Sequence, residues 1–266
     1  MGKTIGVIAI KGGVGKTTTT TNLGAVFARE FNKKTLIVDA NFSAPNLGLH
    51  LGFVNPETTL HDVLLNKAKM EDAIQEYEEN LHIIPGALMG RKVSPLLLKE
   101  KLEQVKDKYD VILLDSSPAL NQEILATMIA ADSLIVVTSP DYPTLSTTLH
   151  AVKIAKQKNT PIIGLVLNKV RNKRFELTLH DIEKAAETPI LAILPDDVKM
   201  LEALAHTRHI AEHSPKRKIV HEYKHLAASL IGEDYIDKRF KRKIKRFFRT
   251  DVPKEEVNRL RVKEGL

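Results

Sequence analysis

The chain contains no cysteine. Disulfide scaffolds, Cys-ligated zinc, thiol catalysis and iron–sulfur binding through cysteine are therefore excluded. A reducing, cytosolic setting is compatible with that composition. Long apolar runs are absent as well: nothing approaches the roughly 20 residues of a membrane-spanning helix. The apolar stretch 5–10 is too short for the core of a signal peptide. Gly6 stands where an N-myristoylation signal beginning Met1-Gly2 requires Ser or Thr, so lipidation there is not expected. No internal repeat or long low-complexity linker is visible. The 266 residues, 43% of them apolar, suit one large α/β domain with a sizeable core.

Charge is unevenly placed. Residues 233–249 carry eight Lys or Arg against three acidic residues, a net +5 of the chain's +7, and residues 250–266 sum to zero. The body, 1–232, is only about +2. The high isoelectric point belongs to a tail, so we divide the chain into a body, 1–232, and a basic tail, 233–266. A protein that coats nucleic acid with its whole surface would look different.

Within the body, apolar runs alternate with longer amphipathic segments. Strands are expected at 4–10, 35–39, 81–84, 111–115, 133–138, 162–168 and 190–194. The runs are continuous rather than alternating, as parallel strands covered on both faces require. Helices are expected near 17–31, 59–66, 95–108, 121–130, 144–158, 178–187, 197–205 and 216–231. This order predicts a doubly wound, mostly parallel sheet with ligands at the carboxyl ends of its strands.

The first strand runs into Lys11-Gly12-Gly13-Val14-Gly15-Lys16-Thr17-Thr18 and then a helix. Strand, glycine loop and helix form the context of a phosphate-binding loop. The glycines let backbone N–H groups point inward, and the helix start adds its own. Lys16 is placed to reach β- and γ-phosphates, and the Thr17 hydroxyl to ligate Mg²⁺. The usual G-x-x-x-x-G-K-[ST] pattern fails, because its first Gly falls on Ile10. What stands here resembles the deviant P-loop of the MinD/ParA family of dimerising ATPases. That resemblance spans roughly residues 3–231 and implies a P-loop NTPase fold of the SIMIBI type, with ATP and Mg²⁺ as ligands. It further implies that Lys11 reaches across a dimer interface to the partner's nucleotide.

The same resemblance assigns further residues. Asp39, ending the second strand, matches the family's Asp that helps hold Mg²⁺-bound water. Two positions on, where the family has an acidic residue that positions the attacking water, this chain has Asn41. An amide can orient a water but is no base, so hydrolysis is expected to be slow. Asp115, ending Val111-Ile112-Leu113-Leu114, matches the strand-end carboxylate on the metal, and Ser116-Ser117-Pro118 a second switch. Asn168 and the element Pro195-Asp196-Asp197 match the family's adenine-side contacts. Catalytic roles thus fall on Lys11, Lys16, Asp39 and Asn41, and metal binding on Thr17, Asp39 and Asp115.

Two histidine patterns compete for attention. His221-Glu222-Tyr223-Lys224-His225 fits H-E-x-x-H, but no third zinc ligand is evident nearby. His206, His209 and His213 share helix-like spacing and are expected as partly exposed helix residues. The acidic stretch 71–79 is expected to be a solvated face.

In the tail, Ile236, Phe240, Ile244, Phe247 and Phe248 fall on one helical face with Lys and Arg around the rest. A basic amphipathic helix of this kind can lie in a membrane interface. In character it resembles the membrane-targeting helix of MinD proteins, although here another short helix is expected after it, over 251–261. The reading that follows is an ATP-dependent homodimer, cytoplasmic and peripheral on the inner face of the membrane. It would switch membrane or partner association to position or regulate other proteins, with an unidentified activating protein. Two alternatives are a ParA-like ATPase that binds DNA without sequence preference and a hydrolysis-poor scaffold gated by nucleotide. The DNA reading would use Arg171, Lys173, Arg174, Lys216, Arg217 and Lys218.

Overall fold

A computed structural model describes residues 2–89, 92–237 and 253–264. Eight strands form one sheet. They are β1 (Lys3–Ile8), β2 (Thr35–Ala40), β3 (Gln75–Glu78), β4 (Leu81–Ile84), β5 (Val111–Ser116), β6 (Ser133–Thr138), β7 (Ile162–Val170) and β8 (Ile190–Pro195). The spatial order is β3-β4-β2-β5-β1-β6-β7-β8, parallel throughout except for β3.

Side-chain alternation builds two buried layers. Ile5, Val7, Ile37, Leu113, Ile135 and Val166 face helices α1 (Lys16–Phe31) and α10 (Lys218–Ile231). α8 (Val198–Ala205) and α9 (Ile210–His213) border the same layer. Their neighbours Ile8, Leu36, Val38, Leu114 and Val136 face the other side. That side holds α3 (Leu60–Leu64), α4 (Leu98–Glu103), α5 (Gln122–Ala130), α6 (Tyr142–Gln157) and α7 (Leu179–Ala186). α2 (Leu47–His50) sits over the carboxyl end of β2. The strands are apolar on both sides because both sides are covered. At Gly24 an added Cβ would stand 2.6 Å from Ile37 Cδ1, so α1 lies directly on β2.

The doubly wound sheet follows the sequence expectation, with local differences. β1 stops at Ile8, two residues early, and the freed residues belong to the loop. β3 is new: residues 75–78 lie inside the acidic stretch and pair antiparallel with β4. That stretch is therefore only partly a solvated face, since Glu78 is bound by Arg29 and His209. α2 and α9 are four-residue helices, too short to give a periodic signal.

Past α10 the chain returns as α11 (Lys254–Glu264), close to the short helix expected over 251–261. α11 lies against α10 and the edge strand β8. Of the amphipathic tail face, Ile236 is exposed, whereas Phe240, Ile244, Phe247 and Phe248 lie outside the described residues. No described helix is long and apolar enough to cross a membrane.

Candidate functional site

The carboxyl ends of β1, β2, β5, β7 and β8 converge on a cavity of about 330 Å³. Its floor is the glycine loop. Gly15 occupies the N-cap of α1 with φ 92°, and Gly13 has φ 75°, both in the left-handed region that side chains disfavour. At Gly15 space is also lacking, because a Cβ would stand 2.2 Å from Asn168 Nδ2. The first turn of α1 therefore opens its unpaired N–H groups toward the cavity.

One end of the cavity is ionic. Asp39 and Asp115 are register partners on β2 and β5, both fully buried. Lys16 Nζ donates to Asp115 Oδ1 at 2.9 Å, and Thr17 Oγ1 donates to Asp115 Oδ2 at 2.6 Å. Thr20 Oγ1 adds a third bond at 3.2 Å. Asp39 instead accepts backbone N–H groups of Asn41, Asn46 and Leu47, which folds the loop after β2 around it. Burial, and then the charge of Asp115, push the Asp39 carboxyl up to about 7. Two buried carboxylates and one ammonium leave this end short of positive charge.

Asn41 lines the same end. Its Nδ2 donates to the Ala44 carbonyl at 2.5 Å, while its Oδ1 is buried and has no partner among the described residues. Buried polar atoms are rarely left so. Asn46, whose Oδ1 accepts from Thr17 at 3.2 Å, and His50 join the wall from the α2 turn. Nothing in their spacing marks either as a site residue in the sequence.

The other end is apolar. Met200, Leu201 and Leu204 of α8 and Ile219 and Tyr223 of α10 line it beside Pro195, Asp196 and Asp197. These apolar residues were also not anticipated, because core and wall look alike in a helical pattern. Asn168 Nδ2 donates to the Val14 carbonyl at 2.8 Å, which ties one of its two N–H groups to the loop and leaves the other, with Oδ1, for a ligand. Lys169 Nζ reaches the Gly13 carbonyl at 2.7 Å. Arg217 grips Asp197 through two bonds of 2.9 and 2.8 Å, and Arg171 pairs with Asp196 at 2.7 Å.

Lys11 sits at the rim. It pairs within its own chain, to Asp141 at 3.3 Å and Thr144 Oγ1 at 2.7 Å, and stays 40% exposed. Burial works to raise the Asp141 carboxyl, but hydrogen bonds from Ser139, Thr144 and Lys11 outweigh it and hold it at about 2. Gly12, Thr18 and the remaining expected loop residues line the same cavity.

The histidine patterns resolve differently. Glu222 is buried against Arg259 at 3.0 Å, and His221 Nδ1 bonds Tyr235 Oη at 2.6 Å. His209 is not a partly exposed helix residue. It is fully buried at the N-cap of α9, where Nδ1 accepts from the Glu212 N–H and Nε2 meets Glu78 at 2.9 Å.

The donor set fits a magnesium nucleotide. Thr17, Asp39 and Asp115 present hard oxygens, the choice of Mg²⁺. The loop offers N–H groups and Lys16 to phosphates, and the apolar end offers a surface to a flat ring. Comparison with known proteins agrees. A family model described as an AAA domain matches residues 2–165. An uncharacterised ATP-binding protein of Methanocaldococcus jannaschii is 33% identical over 234 residues, covering 87% of this chain and 88% of its own. The septum site-determining protein MinD of Synechocystis is 31% identical, over 76% of this chain and 79% of its own. MinD of Pyrococcus horikoshii, solved in complex with Mg-ADP, has a TM-score of 0.81 at 32% identity, covering 85% of this chain and 95% of its own.

Proposed function

The chain belongs to the MinD/ParA family of P-loop ATPases, and from that premise we propose that it is an ATP-driven switch. In this reading the ATP-bound state dimerises and associates with an anionic membrane surface through the basic tail. The observation that carries the nucleotide half is the buried cluster Lys16–Asp115–Thr17 beside Asp39 at the mouth of the glycine loop.

Each residue has a task there. Lys16 exchanges its bond with Asp115 for phosphate oxygens. Thr17, Asp39 and Asp115 would hold Mg²⁺, which would supply charge neutralisation along the phosphates. Asn41 would orient the attacking water through its amide, without taking its proton. Met200, Leu201 and Ile219 would hold the base, and the Asn168 amide, with one N–H and Oδ1 still free of the loop, would offer a donor and an acceptor to an adenine edge.

The dimer half rests on Lys11. A lysine held at the rim by one exposed ion pair and one hydrogen bond to Thr144 is released at small cost. Membrane affinity rests on composition. Each Lys or Arg near an anionic surface adds about 1 kcal/mol, and two tails on one dimer multiply their effect through effective concentration. A DNA-binding reading keeps Lys173, Arg174, Lys216 and Lys218, which form no ion pairs among the described residues. Arg171 and Arg217, by contrast, are committed to Asp196 and Asp197.

The test is vesicle flotation and sedimentation of the full chain with Mg-AMPPNP against Mg-ADP. The reading expects a dimer that floats in the first and a monomer that does not in the second. Phe240→Glu with Ile244→Glu should abolish flotation and spare dimerisation. DNA retention that falls with salt, with no flotation, would move the reading to the alternative.

A further inference from the structure

α11 makes an unusual attachment. β8 is an edge strand, and the backbone groups at its start are satisfied by side chains instead of by another strand. Asn258 Nδ2 donates to the Ile190 carbonyl at 2.9 Å and to Glu183 Oε1 at 2.7 Å, and Glu183 in turn accepts the Ile190 N–H at 2.8 Å. Arg259 Nε donates to the Leu191 carbonyl, and its Nη2 bonds Glu222 Oε2 at 3.0 Å. Asn258 and Arg259 are both buried, each 6% exposed. One guanidinium therefore ties the edge strand to the middle of α10.

Both tied elements run on to the nucleotide cavity. Four residues after Leu191, β8 delivers Pro195, followed by Asp196 and Asp197 in the wall. One residue after Glu222, α10 delivers Tyr223, with Ile219 one turn before it. The same two units are joined again at the cavity mouth, where Arg217 at the start of α10 grips Asp197. The apolar wall is thus fixed by two arginine bridges. The outer one depends on a helix that follows the basic run 238–249. The phosphate end is joined to α11 less directly: its residues come from the loop after β1, the start of α1 and the ends of β2 and β5, and α1 in turn packs on α10.

We propose that Arg259, with Asn258, is a positioning residue for the base-binding wall, and that α11 thereby couples the C-terminal segment to nucleotide affinity. This rests on reading the cavity as a nucleotide site. Coupling is reciprocal: a docked α11 strengthens binding of the base, and a bound base strengthens docking of α11. Ligands that use only the glycine loop are indifferent to it.

The experiment compares Mg-AMPPNP with Mg-tripolyphosphate by calorimetry, on the full chain and on Arg259→Leu, Arg259→Lys and Asn258→Ala. Arg259→Leu should weaken AMPPNP on the order of 5–150-fold, the usual span of coupling between sites, and leave tripolyphosphate within about twofold. Arg259→Lys, which can reach Leu191 or Glu222 but not both, should fall between. Hydrogen exchange on the unaltered chain covers the case in which Arg259→Leu does not fold. AMPPNP should slow exchange across 254–264, and tripolyphosphate should not. Equal loss of both ligands, loss of neither, or exchange in α11 indifferent to AMPPNP would overturn the proposal. Unaltered chain that binds neither ligand would overturn the nucleotide reading beneath it.

Discussion

Replacing Asp141 with Asn isolates the contact that holds Lys11 in its own chain. Asp141 has two roles: it N-caps α6 by accepting the Thr144 N–H, and it pairs with Lys11. Asn caps as well as Asp, so Asp141→Asn preserves the helix start while it removes the charge and the second carboxylate oxygen, which accepts from Ser139 Oγ at 2.6 Å. The pair is 40% and 43% exposed on its two sides, which places it among surface ion pairs worth about 0.2–1 kcal/mol. If Lys11 must leave Asp141 to serve a second copy, releasing it favours dimerisation by about 1.4–5-fold per lysine. A twofold-symmetric dimer releases two, giving roughly 2–30-fold overall. Sedimentation equilibrium in Mg-AMPPNP measures the dimer constant directly. A tighter dimer in the variant, with its advantage over the unaltered chain shrinking as added salt screens the Lys11–Asp141 pair, is the expected result. An unchanged or weaker dimer would refute the idea that the contact with Asp141 competes with association.

Other outcomes follow from the same geometry. Asn41→Asp restores a carboxylate beside the attacking water and should raise steady-state phosphate release by an order of magnitude or more, in keeping with general-base contributions of about 10²–10⁴. A variant no faster than the parent would remove the expectation that Asn41 slows turnover. At the far edge of the sheet, burial works to raise the Glu78 carboxyl, but hydrogen bonds from His209 and Arg29 hold it at about 2, against an ordinary 4.5. Its folded-state value is depressed, so its stabilisation is full above about 4.5 and is lost as pH falls toward 2. After discount for partial exposure this amounts to about 1–2 kcal/mol. Glu78→Gln should therefore flatten the acid limb of a thermal-melting profile and lower the melting temperature at pH 7. A parallel acid limb would contradict the assignment.

The sheet was legible in the sequence because seven of its strands are covered on both faces and read as uninterrupted apolar runs. β3 was not, because residues 75–78 are an edge strand whose Gln, Glu and Tyr read as a polar face. The phosphate end was legible for a different reason. Lys16 and Thr17 sit in a motif whose spacing carries chemistry, and Asp39 and Asp115 stand at strand ends where such a motif needs them. The base end was not, since Met200, Leu201 and Tyr223 are apolar residues in helices and only the fold shows which of them face a cavity. His209 was misread because helical spacing says nothing about depth. Its neighbours Glu78 and Arg29 come from β3 and α1, far away in sequence. The partner of Glu222 was hidden likewise: Arg259 lies 37 residues on, past the basic run 238–249.

The central claim is that the state of the nucleotide sets the state of association. Sedimentation velocity of the full chain, in Mg-AMPPNP and then in Mg-ADP, measures it without assuming what the dimer binds. The account predicts about twice the monomer mass of 29.7 kDa in the first and the monomer in the second. The same mass with both nucleotides, at concentrations that saturate the site, would contradict it.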